Sequence, residues 1–366
     1  MEILFPKKIS SGLALCAAIN EMPHRGGKGS EMVINELIYN VAILFIMMLP
    51  GVIMKKCGLA TESLGKGISN LVLYIAQPAL IFLAYLLPYD NEVLVNSIYV
   101  FAFSILAHVI FTTVALLLFK RAPDNMRRML RFATIFSNAA FMGIPLISAI
   151  LEDIYPGSTL YASIYNITFN LFLWSIGVYI CTDDRDEDGD GITDGDVKTD
   201  YHDVRKLKKS AASPAKALLH PVTIAAMLGL VFFILPIHTY VPEIITESFS
   251  MLKGLVAPLS MVVIGLRLPD INFRGVLKDK YMYLFLILRH VLLPVSMVLI
   301  LKLFGLFVTL HPAVPMVVTI LAAAPAASSA TMFAEKFNCD ACYVSRLVTI
   351  STLLSILTMP IILLLV

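Results

Sequence analysis

Charge is scarce in this chain. Lys, Arg, Asp and Glu make up 15% of its 366 residues, while hydrophobic residues make up 58%. That balance lies outside the range of a soluble domain, so water is not the main solvent. All 26 acidic residues lie in polar stretches, at the ends of apolar runs or in the leading segment. A buried carboxylate is costly and is kept where cations are bound through side-chain charge, so its lack at depth speaks against a cation antiporter. Cysteine is also sparse: Cys16, Cys57, Cys181, Cys339 and Cys342 are too few and too scattered for a disulfide framework. Cys339 and Cys342 form a CxxC, but no second ligand pair or soluble redox fold accompanies it, and two reduced thiols in a cytoplasmic loop are expected. There is neither an intramembrane Asp pair nor an HExxH, so no constellation for an intramembrane protease exists. The longest polar stretch, residues 182–216, is too short for an appended signalling domain. No enzyme activity, cofactor or metal is expected, and no nucleic-acid partner.

Apolar length is what the chain has in quantity. A bilayer core of ~30 Å needs about 20 mostly apolar residues per helix. Runs of that order occur at 35–54, 68–87, 94–119, 132–151, 159–181, 221–238, 249–267, 281–304, 312–333 and 345–366. These predict an all-α polytopic membrane protein of ten spans. Threading them alternately puts 55–67, 120–131, 182–216, 267–280 and 334–346 on one side, and those loops hold 21 of the 28 Lys and Arg. The positive-inside rule makes that side cytoplasmic and both ends of the ten-span unit external, in a bacterial inner membrane. Residues 1–31 carry Lys7, Lys8, Arg25 and Lys28, which oppose this topology. The conflict disappears if translation starts at Met32; a signal-like segment lacking a convincing cleavage site is the alternative.

The expected organisation is an extension 1–31, a five-helix repeat 32–181, a cytoplasmic polar loop 182–216 and a second five-helix repeat 217–366. An odd helix count per half inverts the second half. Prolines support the repetition: Gln77-Pro78 in span 2 answers Ala257-Pro258 in span 7, and Gly143-Ile144-Pro145 in span 4 answers Ala323-Ala324-Pro325 in span 9. Both pairs are 180 residues apart. Inverted repeats with interrupted helices mark secondary transporters.

Proline inside a span frees carbonyls and amides that lipid cannot satisfy, so such a break belongs in the protein interior. If spans 4 and 9 cross at Pro145 and Pro325, each proline starts a half-helix whose amides and positive dipole end face a common cavity. Asn138 and Gly143 lie near the first break, and Ser328 and Ser329 follow the second. Gln77 belongs to the matching proline motif of span 2. Asn166, Asn170 and Trp174 share one helical face and could line the same cavity, or serve as interhelical hydrogen-bonding groups. Among basic groups at depth, Arg289 either snorkels to the cytoplasmic side or contacts substrate, and His108 is a satisfied interior histidine or a proton relay. Asp186, Asp188, Asp190 and Asp194 match the opening of a calcium loop, but Val197 stands where the bidentate Glu belongs, so a solvated linker is expected.

These residues resemble the auxin efflux carrier family, the membrane transport proteins that include bacterial malonate carriers and plant PIN proteins. The resemblance runs from about Met32 to Val366 and is carried by Ser137-Asn138 through Pro145, by Gln77-Pro78-Ala79-Leu80, and by the block from Ala324-Pro325 through Phe337 to Met359-Pro360. It implies ten helices with crossed fourth and ninth spans, a scaffold of spans 1, 2, 6 and 7, elevator-like movement of the rest, and an organic carboxylate as substrate. Ala324 and Ala326 stand where plant members have Asn, so the plant carboxylate contacts do not carry over there. The expected function is a secondary carrier of a small organic anion, with a sodium- or proton-coupled symporter of related fold as the alternative and a sensor behind it. The bilayer and the anion are the expected partners, and a homodimer is the candidate assembly. Cysteines introduced at Asp90 and Pro156 should react with an impermeant reagent outside intact cells and one at Asp194 should not; labelling at Asp194 would overturn the orientation.

Overall fold

In a computed structural model, residues 39, 42–182, 219–235, 237–270, 279–337 and 339–366 are described. The extension 1–31 and the four aspartates of the calcium-like loop fall outside them. The helices are α1 (Leu49–Lys56), α2 (Ser63–Ala84), α3 (Asn91–Leu118), α4 (Asp124–Ile135), α5 (Ala139–Ile150), α6 (Ser158–Thr182), α7 (Pro221–Ile234), α8 (Glu243–Arg267), α9 (Lys280–Gly305), α10 (Ala313–Ala323), α11 (Ser329–Lys336) and α12 (Ala341–Leu363). Six of these, α2, α3, α6, α8, α9 and α12, are long and apolar enough to cross a membrane; α5, α7 and α10 are shorter apolar helices. No strand occurs among the described residues, and a lone antiparallel bridge joins Ser137 to Ala326.

Helix ends explain where the carboxylates went. Asp90, Asp279 and Asp340 each accept backbone N–H groups at the start of α3, α9 and α12, the capping role that suits a short acidic side chain. Between α5 and α6, Glu152 accepts from the amides of Gly157 and Thr159 at 3.0 and 2.7 Å, around a left-handed Gly157. One expected loop is partly helical: α4 starts at Asp124, after Pro123, so Arg127, Arg128 and Arg131 ride on a helix rather than in a connection.

Proline shapes the spans differently from a simple kink. Wide π turns at Val72–Ala76, Ala139–Gly143 and Leu288–Leu292 each precede a proline by two residues, Pro78, Pro145 and Pro294. Widening the turn relieves the clash of a proline ring with the carbonyl one turn back. The chain breaks elsewhere, at Phe136–Asn138 and at Ala324–Ser328. Pro325 therefore sits in a break, whereas Pro145 lies inside α5, well past the other one. The two prolines are 180 residues apart but do not occupy equivalent positions, which corrects the expectation that each starts a half-helix.

Packing separates two groups. α7 and α8 pack against α2, and α8 against α1; the other helices pack chiefly among themselves, α3 on α4 and α6, α10 on α6, α9 and α12. The first group holds the helices at the apolar runs numbered 1, 2, 6 and 7 in the sequence expectation. The groups meet where α6 touches α2 and α7, and where α8 touches the first turn of α5. Within the first group α1 and α8 approach backbone to backbone: a Cβ on Gly265 would fall on the Met48 carbonyl, and one on Gly51 on the Val262 carbonyl. Gly265→Val should cost at least about 3 kcal/mol by overpacking a contact that has no side chain to yield. Thermal denaturation of the purified protein checks this, and an unchanged melting temperature would show that α1 and α8 do not meet at Gly265.

Candidate functional site

The two breaks cross. Asn138 N–H donates to the Pro325 carbonyl at 2.7 Å, and Ala327 N–H donates to the Phe136 carbonyl at 2.9 Å, so each extended segment satisfies the other as an antiparallel pair. Ala326 N–H donates to Ser351 Oγ at 2.9 Å, and that hydroxyl also shares a 2.8 Å hydrogen bond with His290 Nε2. Irregular backbone at this depth is tolerated only when its polar groups are met by protein.

A break leaves carbonyls on one side and amides on the other, because a helix ends in unsatisfied C=O groups and begins with unsatisfied N–H groups. Arg289 takes the carbonyl side. Its Nε and Nη2 donate to the Ala324 carbonyl, its Nη2 also to Ala322 at 3.1 Å, and its Nη1 to Thr134 at 3.2 Å, with the guanidinium 5.5 Å from the Phe111 ring centre. One fully buried cation thus caps the C-terminal ends of both α10 and α4, where the helix dipoles are negative. Both expectations for Arg289 are corrected: it does not snorkel, since its donors are consumed inside, and it does not line the cavity.

On the amide side lies a cavity of about 70 Å³, walled by Gln77, Ser137, Asn138, Ala140, Phe141, Asn166, Asn170, Trp174, His220, Ala327 and Ser329 together with apolar neighbours such as Phe169 and Phe333. Residues at the start of both α5 and α11 belong to this wall. Among the described residues no Asp, Glu, Lys or Arg does. At ~10–15 Å³ for each water-sized group, the volume admits about five such groups, a small anion rather than a large ring system.

Several polar atoms of the wall are buried and unpartnered among the described residues: Asn138 Nδ2, Asn166 Oδ1, Gln77 Oε1 and His220 Nδ1. The other end of Gln77 is used, since its Nε2 donates at 2.8 Å to Ala140 O, a carbonyl on the turn widened ahead of Pro145. Asn170 Nδ2 reaches Thr223 Oγ1 of α7 at 3.5 Å. Burial pushes the His220 pKa below the ordinary histidine value, so the imidazole is neutral at pH 7.

Of the residues singled out from sequence, Gln77, Asn138, Asn166, Asn170 and Ser329 come together here. Gly143, Pro145, Pro325 and Ser328 do not line the cavity; they build its frame. Gly143 admits the Leu321 side chain between α5 and α10, Pro325 lends its carbonyl to the crossing, and the Ser328 carbonyl accepts from Arg267 at 3.0 Å. His108 is buried with Nδ1 at 2.7 Å from the Ser104 carbonyl, amid Phe136, Tyr165, Phe169 and Phe172. It is the satisfied interior histidine. His220 went unnoticed because it stands outside the apolar periodicity; the signal for it is Pro221, which holds the preceding residue extended (φ −68°, ψ 133°) at the mouth of a helix.

The family model described as membrane transport protein matches residues 36–363. No curated protein matches the chain.

Arg289→Met should leave three buried carbonyls uncapped, at about 1–3 kcal/mol each, and lower thermal stability by roughly 3 kcal/mol or more. Arg289→Lys should recover only part, since an ammonium cannot reproduce the fork. Exposed Lys302→Met serves as the comparison. A melting curve for Arg289→Met that overlays that of Lys302→Met would show that the caps carry no weight.

Proposed function

We propose, for a chain that belongs to the membrane transport protein family, the function of a secondary carrier that moves a small organic carboxylate across the cell membrane by an elevator-like displacement of one packing group against the other. The observation that carries this is the cavity at the crossing, whose wall combines the first turns of α5 and α11 with the unpartnered Asn138 Nδ2 and, among the described residues, no charged side chain. Amide groups at helix starts supply a fixed positive field, and a carboxylate can be bound there without the desolvation cost of a buried cation. Release is correspondingly easy, which a carrier needs.

Sidedness follows from the connections. His220 and Val222, at the end of α7 that follows the basic loop 182–216, lie in the wall, so in the topology read from those loops the cavity meets α7 at its cytoplasmic end. Its wall is shared: Gln77 and His220 come from the group of α1, α2, α7 and α8, and Asn138, Asn166 and Ser329 from the other. A substrate held mainly by the second group, at the seam with the first, is carried when the two slide past each other. Ser328, bonded through its carbonyl to Arg267 of α8, ties the groups in this arrangement.

Asn138→Ala removes one donor to a charged acceptor, which should weaken binding by about 1.5–3 kcal/mol, or roughly ten- to hundredfold. Asn138→Asp should be worse, because it sets a like charge against the substrate. Uptake by proteoliposomes of labelled mono- and dicarboxylates, followed by affinity measurement on these variants, is the test. Tight binding by purified Asn138→Asp would place the carboxylate somewhere else.

A further inference from the structure

Among the described residues the cavity wall holds one titratable side chain, His220. Its ring lies against Tyr74 of α2, with centroids 5.9 Å apart, and its buried Nδ1 has no partner. The other elements of this part of the wall, α6 and α11, present Asn170, Trp174 and Ser329, none of them charged. No described residue of the wall carries a negative charge that would neutralise an imidazolium there. A carboxylate entering the cavity can, and a proton and an anion that stabilise each other in one site must each raise the other's affinity by the same factor.

Resting on the carrier function proposed above, we propose that His220 is a proton-gated ligand for the anion: it binds the carboxylate as an imidazolium, so that loading from the cytoplasmic side strengthens as pH falls. The group that carries Asn138 is not the group that carries His220. The imidazolium–carboxylate pair therefore exists only while the cavity abuts α7, and it is lost when the second group moves away. His220 thus senses pH on one side of the membrane and leaves affinity on the other side unaffected.

The chain contains one tryptophan, and Trp174 is in the wall, so its emission reports occupancy directly. The full chain in lipid nanodiscs is titrated with acetate, malonate and succinate at pH values between about 5 and 8, the range over which imidazole changes charge. The same titrations on His220→Gln share any ionisation of the acid itself, so the ratio of the two dissociation constants isolates the histidine. That ratio should move about ten- to hundredfold in favour of wild type on acidification, the size of one charge-assisted hydrogen bond. Asn138→Ala should weaken binding at every pH and keep the wild-type slope. A ratio that stays flat while binding persists overturns the role of His220 and leaves the cavity assignment standing. Trp174 that responds to none of the acids at any pH overturns both. If His220→Gln fails to fold, His220→Asn replaces it, and wild-type affinity for acetate, which is mostly ionised over this range, that does not rise on acidification overturns the proposal irrespective of the variants.

Discussion

One buried guanidinium makes the rest of this structure possible. Two helices interrupted at membrane depth expose the carbonyls of Thr134, Ala322 and Ala324 where neither water nor lipid can bond them, and Arg289 donates to all three. A lysine has the charge but not the geometry, and a neutral amide has too few donors for the task. The cost of desolvating a cation is met here by two negative helix ends and an aromatic face rather than by a carboxylate. That is why Arg289 can lie in the interior with no acidic residue among its hydrogen-bond partners.

Capping the carbonyl side frees the amide side for work. The same two breaks turn the starts of α5 and α11 toward one cavity, and the antiparallel bridge between Ser137 and Ala326 fixes the distance between them. Under the proposed function, positive charge behind the crossing and oriented amides in front of it would favour an anion in a cavity whose described wall residues carry no charge. Neutral donors that lack partners, such as Asn138 Nδ2, hold their binding capacity in reserve. Gln77 and Pro145 belong to the same device, one part of the chain widening a helical turn and another supplying the donor that turn lacks.

Packing distinguishes a tight unit from a seam. Backbone contact at Gly51 and Gly265 locks α1 to α8 with little room to shear, and α7 and α8 pack in turn on α2. The seam to the second unit is crossed by hydrogen bonds from Asn170 to Thr223 and from Arg267 to Ser328, and such bonds are readily exchanged for others. Under the proposed mechanism, the cavity lies on this seam because a site that must be exposed alternately needs a wall that can be taken away.

The sequence by itself determined the class of protein, an all-α polytopic membrane protein, and which polar residues accompany the proline motifs; six of the expected spans appear as helices long and apolar enough to cross a membrane. Hydrophobic length and the distribution of Lys and Arg are local properties, and the bilayer reads them residue by residue. Asn138, Asn166, Asn170 and Gln77 were legible for the same reason, as polar groups that lipid would not tolerate without an interior use. The place of the breaks was decided only by the tertiary structure. A proline limits what its own turn can do, but whether the chain bends, widens into a π turn or separates depends on which neighbour satisfies the freed carbonyl; Gln77 reaches Ala140 near Pro145, and Arg289 does the same near Pro325. His220 and the capping role of Arg289 were hidden likewise, because both are defined by partners far away in the chain, and one-dimensional spacing carries no record of those contacts.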